Sequence, residues 1–270
     1  MTELNITTNP ENKAAVVSLL FQLADDDFLY SFRGSEWLGL APHIEEDVAS
    51  SSISQDSMGH AAMFYQLLEE LGLDNADALA HLRPAKERRN SILVERQNGE
   101  GYYMDVPKYD WAFAVVRNYF YTAAKKIKIE SLKNSSYEPL ANVAVKVNIE
   151  LYYHLLHWKT WFAQLLNSTE DAKQRMQAAI EQVMKDFGDV FSLGTEGEKM
   201  VEIGLIEEEK VLVQRWKEQL KPVFESLNLS IPEIPASPAA NGRNFEHTED
   251  LESAISTLSE VYRIDTAASW

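Results

Sequence analysis

Between Glu138 and Leu166 apolar residues return at Leu140, Val143 or Ala144, Val147, Leu151, His154 or Leu155, Trp158, Trp161 or Phe162, and Leu165. Steps of three and four residues are the repeat of one face of an α-helix, whereas a strand face repeats every second residue. Sustained for about eight turns, the pattern makes a rod of roughly 40 Å. A rod of that length buries its stripe only by lying along other helices, so this segment commits the chain to helical packing.

The rest of the sequence agrees. Asn9 before Pro10 and Glu11 reads as an N-cap with proline at the first helical position, opening a helix to about Phe32 with Ala15, Leu19 or Leu20, Leu23 and Phe28 inside. Gly34 to Pro42 breaks it, and a second helix runs from about His43 to a stop at Gly72. A short helix over Ala76 to Leu82 leads into a long connection containing Arg83-Pro84 and Asn98-Gly99, with Ser91 to Glu95 expected as a short extended piece. Further helices are expected over Lys108 to Leu132, Glu170 to Leu193 and Glu198 to Leu227, and a proline-containing linker runs from Ile231 to Gly242. Thr248 then caps a last helix to about Tyr262. The expected organisation is an all-α bundle domain over residues 1–230, with 231–270 as a linker and C-terminal arm packed on it.

Composition restricts the chemistry. The 270 residues include no cysteine, which removes disulfides, thiolate nucleophiles and Cys-based metal sites and leaves His, Asp and Glu as ligands. A formal charge of -17 repels phosphate backbones and anionic membranes, so neither nucleic acid nor membrane is expected as a partner. Residues 1–9 are polar, no apolar run approaches the roughly 18 residues of a membrane span, and a cytoplasmic location is expected.

In a cysteine-free bundle the first chemistry to look for is a dinuclear carboxylate site, with a carboxylate from each of two helices and a Glu-x-x-His pair from each of two others. Residues three apart share a helical face, so one helix offers an oxygen and an imidazole to the same metal. The nearest approaches are Ser57-Met58-Gly59-His60 and Leu151-Tyr152-Tyr153-His154, each with its histidine but without its glutamate. Glu150 lies four residues before His154, which leaves a shifted pair open, although it sits about 100° round from the apolar stripe.

Several stretches, in order, resemble the A and C subunits of phenylacetyl-CoA epoxidase, which are related ferritin-like proteins. They are Glu36-Trp37-Leu38-Gly39 with Ala41-Pro42, Gln55-Asp56 with Gly59, Glu69-Glu70-Leu71-Gly72, Leu93-Val94-Glu95 with Asn98-Gly99, Glu150 to His154, and the tail from Glu246-His247-Thr248-Glu249 to Trp270. The tail and the Leu93 to Gly99 stretch are similar to the C subunit. The resemblance implies a ferritin-like four-helix bundle core with additional helices and a C-terminal arm. It implies a structural component of a multicomponent monooxygenase, pairing with a di-iron catalytic A subunit as a heterotetramer, with further B and reductase subunits. The A subunit would hold the di-iron centre and most of the phenylacetyl-CoA contacts, and this chain would carry no cofactor.

Laying the family's ligand pattern on this chain places Asp27, Ser57, His60, Thr122, Leu151 and His154 at the metal positions. Only Asp27, His60 and His154 among them can bind a metal, so no metal is expected and the positions are vestigial. Two alternatives stay open for the histidines: a weak mononuclear site, or core imidazoles hydrogen-bonded to groups such as Ser57, Asp27 or Tyr153. The competing functions are a metal-binding oxidoreductase in its own right, using Asp27, His60, Glu150 and His154, and a helical interaction protein of an unrelated pathway.

Other candidates have plainer readings. His157 beside Trp158 and Trp161 points to packing, and His43 and His247 to capping or loop contacts. Glu45-Glu46-Asp47 complements a helix N-terminus, and Glu207-Glu208-Glu209 reads as a solvated helix face. Lys86, Arg88 and Arg89 read either as a solvated basic loop or as a site for the phosphates of coenzyme A or an acidic partner.

Overall fold

The computed structural model describes residues 6–102, 104–236 and 239–268, so Trp270 at the end of the resembling tail and residues 1–5 of the polar N-terminus lie outside the described residues. Among the described residues are ten α-helices and a two-stranded ribbon of two residues per strand, an all-α architecture consistent with a ferritin-like helical bundle. The chain divides into two compact units, one of Met1–Val16 with Asn98–Ala239, the other of Val17–Gln97 with Ala240–Trp270.

Helix α1 spans Pro10–Ser35. Its N-cap is as expected: the Asn9 side chain accepts from the backbone N–H of Glu11 at 2.9 Å and of Asn12 at 3.3 Å. The helix outlasts the expected stop at Phe32 by about a turn.

In the second unit α2 spans Ile44–Glu70, α3 spans Ala76–His81, and α10 spans Glu249–Ile264. The Asn75 side chain caps α3 by accepting from Ala78 N–H at 2.9 Å. The stretch Glu36 to Gly39 turns the chain between α1 and α2 with Trp37 buried and Gly39 at φ +78°, a conformation open to glycine at little cost. Asp47 in the first turn of α2 accepts the Gly39 N–H at 2.6 Å, so this acidic residue pins a turn as well as complementing the helix N-terminus. Ile92–Glu95, expected to be extended, is instead one turn of helix, α4, with all four side chains buried. Propensity could not decide so short an apolar run; the buried contacts of its side chains do.

The C-terminal arm packs α10 against α3 and α4. Its approach depends on Gly242, where a Cβ would stand 1.9 Å from the Asn90 carbonyl oxygen and 3.0 Å from His247 Cε1. Gly242→Ala must push the arm off that carbonyl, and overpacking of this kind costs about 1–3 kcal/mol. The expected result is a lower urea midpoint together with faster proteolytic clipping near residue 242 at native pH; unchanged values for both would show that the contact yields freely.

In the first unit β1, Gly99–Glu100, pairs antiparallel with β2, Lys108–Tyr109. The next helix, α5, therefore begins later than Lys108: it spans Trp111–Leu132, and the Asp110 side chain caps it by accepting from Ala112 N–H at 2.9 Å. Helices α6, Glu138–Leu166, and α7, Glu170–Lys185, follow. The expected long helix after them is broken into α8, Gly197–Glu202, and α9, Glu209–Ser226, with Gly204 at the break. The glutamates at 207–209 are accordingly more than a solvated face. Glu207 pairs with Arg215, and Glu209 accepts the Leu193 N–H at 2.7 Å. Helix α5 is buried along nearly its whole length and packs on α6, α7 and α9. Phe120 sits in an aromatic core with Phe162, Phe187, Trp216 and Phe224, and the Trp216 indole donates to the Phe120 carbonyl at 3.2 Å.

Candidate functional site

The aspartate triplet of α1 organises the second unit. Asp25, Asp26 and Asp27 are all buried, at 0%, 2% and 1% exposure. Successive helical residues point about 100° apart, so the three carboxylates serve three different segments.

Asp27 reaches α2: its Oδ2 lies 4.0 Å from His60 Nδ1, and the imidazole is buried as well. Ser57, one turn before His60, is buried and donates its hydroxyl backward to the Ile53 carbonyl at 2.8 Å. Of the ligand-like positions in this unit, then, the structure brings Asp27 and His60 together and directs the Ser57 proton away from them. In the first unit Thr122 on α5 and Leu151 and His154 on α6 are buried. Glu150 is exposed and His154 buried; four residues apart on α6, they are neighbours one turn from each other. Tyr153 is likewise exposed, pointing away from the face that buries its neighbour His154. Among the described residues no three His, Cys, Asp or Glu side chains converge to hold a metal ion.

Among the described residues, clefts of about 410, 640 and 320 Å³ lie in the first unit, and none of these is lined by the ligand-like positions.

Asp25 anchors a second cluster. The Tyr65 hydroxyl donates to its Oδ1 at 2.6 Å, Arg88 Nη1 donates to the same oxygen at 3.3 Å, Arg83 pairs with it, and the Arg89 backbone N–H donates to Oδ2 at 2.9 Å. Burial by itself raises the Asp25 pKa, but the Arg83 and Arg88 guanidiniums outweigh it and hold the carboxyl below its usual range. This corrects the solvated-loop reading for Arg88 and Arg89, while for Lys86 it stands. Arg88 has 0% exposure and spends its donors on Asp25, on Tyr65 and on the Ala80 and Arg83 carbonyls, so it is neither solvated nor available to a phosphate. The Arg89 side chain donates to Ser18 Oγ at 3.0 Å and lies over the Phe245 ring at 4.5 Å, while Lys86 is exposed.

Asp26 takes Arg243 from the C-terminal arm in a two-oxygen pairing, at 2.9 Å to Oδ1 and 2.7 Å to Oδ2, and also accepts the Ser91 N–H at 2.7 Å. Next to it Glu95, fully buried, accepts from the Thr248 N–H at 2.6 Å, the Thr248 hydroxyl at 2.8 Å, the Asn90 amide at 2.8 Å and His247 Nδ1 at 2.8 Å. The other His247 nitrogen lies 2.9 Å from the Arg88 carbonyl oxygen. Both neighbours of this ring are acceptors, which favours the protonated imidazole, the form that donates from both nitrogens. Burial lowers its pKa, but the Glu95 hydrogen bond and charge prevail and the net shift is upward. His247 therefore makes the loop contact expected of it. Sequence reasoning did not connect these groups, yet a signal was present: three consecutive acids inside an otherwise apolar helix need cations from somewhere.

The all-α architecture is consistent with the ferritin-like class, and in it two long helices, α1 and α2, meet at the buried Asp27 carboxylate and His60 imidazole. The chain is a member of the phenylacetic acid catabolic protein family, whose sequence model matches residues 1–270. It is 28% identical over 252 residues to the C subunit of 1,2-phenylacetyl-CoA epoxidase from Escherichia coli (strain K12), a match that covers 92% of this chain and 96% of that protein. The resemblance carried by Leu93 to Gly99 and the Glu246 to Glu249 tail has a structural meaning, since these stretches meet at the Glu95 carboxylate. Among the described residues no helix is long and apolar enough to cross a membrane.

Proposed function

We propose that this chain is the structural C-type component of a cytoplasmic phenylacetyl-CoA 1,2-epoxidase, pairing with the di-iron A subunit in a heterotetramer to which B and reductase subunits are added. The observation that carries the reading is the chemistry at the glutamate positions: Ser57 gives its proton to a main-chain carbonyl and Leu151 is a buried hydrocarbon. A dinuclear iron core needs carboxylates to bridge its ions and neutralise their charge, and this donor set does not fit it. Oxygen activation and most of the phenylacetyl-CoA contacts then fall to the A subunit, while this chain supports that partner's fold and placement.

The test is coexpression with the A subunit in iron-supplemented medium, followed by size-exclusion chromatography and metal analysis of each component. The expected result is a co-eluting complex with iron in the A subunit, and a separately purified C-type chain that turns over no phenylacetyl-CoA. The competing reading, an autonomous oxidoreductase, draws on the Asp27–His60 contact. About two metals per isolated chain, lost in a His60→Ala and His154→Ala double variant and accompanied by epoxidation, would establish it instead.

A further inference from the structure

The C-terminal helix α10 is held unequally along its length. At its root Arg243 pairs with Asp26, and His247 and Thr248 bond to Glu95. The first turns of the helix then bury Leu251, Ala254 and Ile255. Beyond Ile255 this aliphatic seam ends. The next buried position in line is Ser259, whose hydroxyl has no hydrogen-bond partner among the described residues. The flanking Val261 and Ile264 are exposed and add no buried surface. The tip of the helix rests instead on His81, the last residue of α3. Tyr262 stacks on its ring with centroids 5.0 Å apart at 24°, and Arg263 Nε donates to its carbonyl at 3.3 Å.

The surroundings of the His81 ring suit its neutral form. Phe28 of α1 meets it edge to face at 5.3 Å. The ring donates to the Leu258 carbonyl of α10, while Nδ1 is buried with no hydrogen-bond partner among the described residues. In the neutral imidazole that nitrogen is a bare lone pair, and a second proton turns it into a donor with no acceptor. The charged groups around the ring come from each element packed against it: Arg88 from the connection between α3 and α4, Arg263 from α10 and Asp77 from α3 itself. Both guanidiniums oppose a positive ring, and Asp77, which favours one, is exposed and screened by water. Burial first and Arg88 next hold the His81 pKa below its ordinary value of 6.5.

Docking of the tip is therefore at full strength above 6.5, the value of the free ring, and is lost as pH falls from there through the lower docked value. The root responds with the opposite sign, because the His247 pKa is raised on docking and its contribution is complete below 6.5. Acid thus acts on the two ends of one helix in opposite directions. We propose that His81 is an acid-operated release for the tip of α10: protonation of its ring peels residues 257–264 from α3 while the root from Arg243 to Thr248 stays docked. The device is a local charge change that biases a weakly packed segment, with the rest of the fold unaltered.

The test is hydrogen exchange of the full-length chain between about pH 8 and pH 5, the window in which an ordinary histidine titrates, corrected for the intrinsic pH dependence of exchange. On acidification the amides of residues 257–264 should lose protection about tenfold, the fold-change expected for one unmet buried donor. Those of residues 249–255 should change little. His81→Phe keeps a ring against Tyr262 and has no proton to gain, and His81→Gln is a second neutral variant; in both the acid response of the tip should vanish. NMR of the wild type gives a readout that needs no variant, with the His81 and Tyr262 rings titrating together at a midpoint below 6.5. Equal protection of the tip at both ends of the pH range overturns the proposal, as does a His81 midpoint at or above 6.5. An acid response that persists in both variants, or one that runs through residues 249–255 together with the tip, overturns it as well.

Discussion

Asp25→Asn is expected to lower the folding stability by about 3–5 kcal/mol, the cost of stranding buried cations by removing their partner. The substitution keeps the shape of the side chain and removes its charge. Arg88 and Arg83 are left facing a neutral amide, and the Arg89 N–H meets either an oxygen or a second donor. The sign with pH is definite. The Asp25 pKa is lowered on folding, so its contribution is complete above the unfolded value near 3.8 and is lost as pH falls through the lower folded value. Urea denaturation of wild type and variant should therefore differ most at neutral pH and converge in acid below that value. Adding Arg88→Met to Asp25→Asn should restore part of the loss by deleting one stranded charge. An Asn variant as stable as wild type at pH 7 would show that the cluster is loosely solvated.

Glu95→Gln is expected to cost about 2–4 kcal/mol, because hydrogen bonds to a charged acceptor contribute roughly 1.5–3 kcal/mol each and this carboxylate takes four. An amide places its NH₂ against at least one donor pair, either His247 with Asn90 or the two groups of Thr248. The variant also removes the charge that raises the His247 pKa. Because the His247 pKa is raised on folding, its contribution is complete below the unfolded value near 6.5 and fades as pH rises through the higher folded value. His81 has the opposite sign: burial, aided by the Arg88 charge, lowers its pKa and favours the fold as pH rises. The wild-type profile alone therefore mixes the two. The gap between wild type and Glu95→Gln isolates His247, and it should shrink as pH is raised above 6.5. An NMR titration placing the wild-type His247 pKa at or below 6.5 would contradict the assignment.

Much of the fold could be read in advance because its causes are local. The α6 stripe and the Asn9 cap depend on residues a turn apart, and each stands where periodicity and capping chemistry place it. The residues three before His60 and His154 are equally legible, since a serine and a leucine cannot bridge iron whatever surrounds them. Element ends were less legible. The late start of α5 and the break at Gly204 follow from a two-residue ribbon and a left-handed glycine, neither of which leaves a periodic trace.

The sequence by itself determined that the chain is helical, cysteine-free and strongly acidic, and that Ser57 and Leu151, not glutamates, stand three residues before His60 and His154. Only the tertiary structure decided what the charged residues do. Arg88 lies 63 residues from Asp25, Arg243 lies 217 residues from Asp26, and His247 lies 152 residues from Glu95. A charge in a sequence looks the same whether it ends in water or in a buried pair. Desolvation penalises the isolated ion and leaves the paired one, and the pairing exists only once distant segments have been brought within about 3 Å.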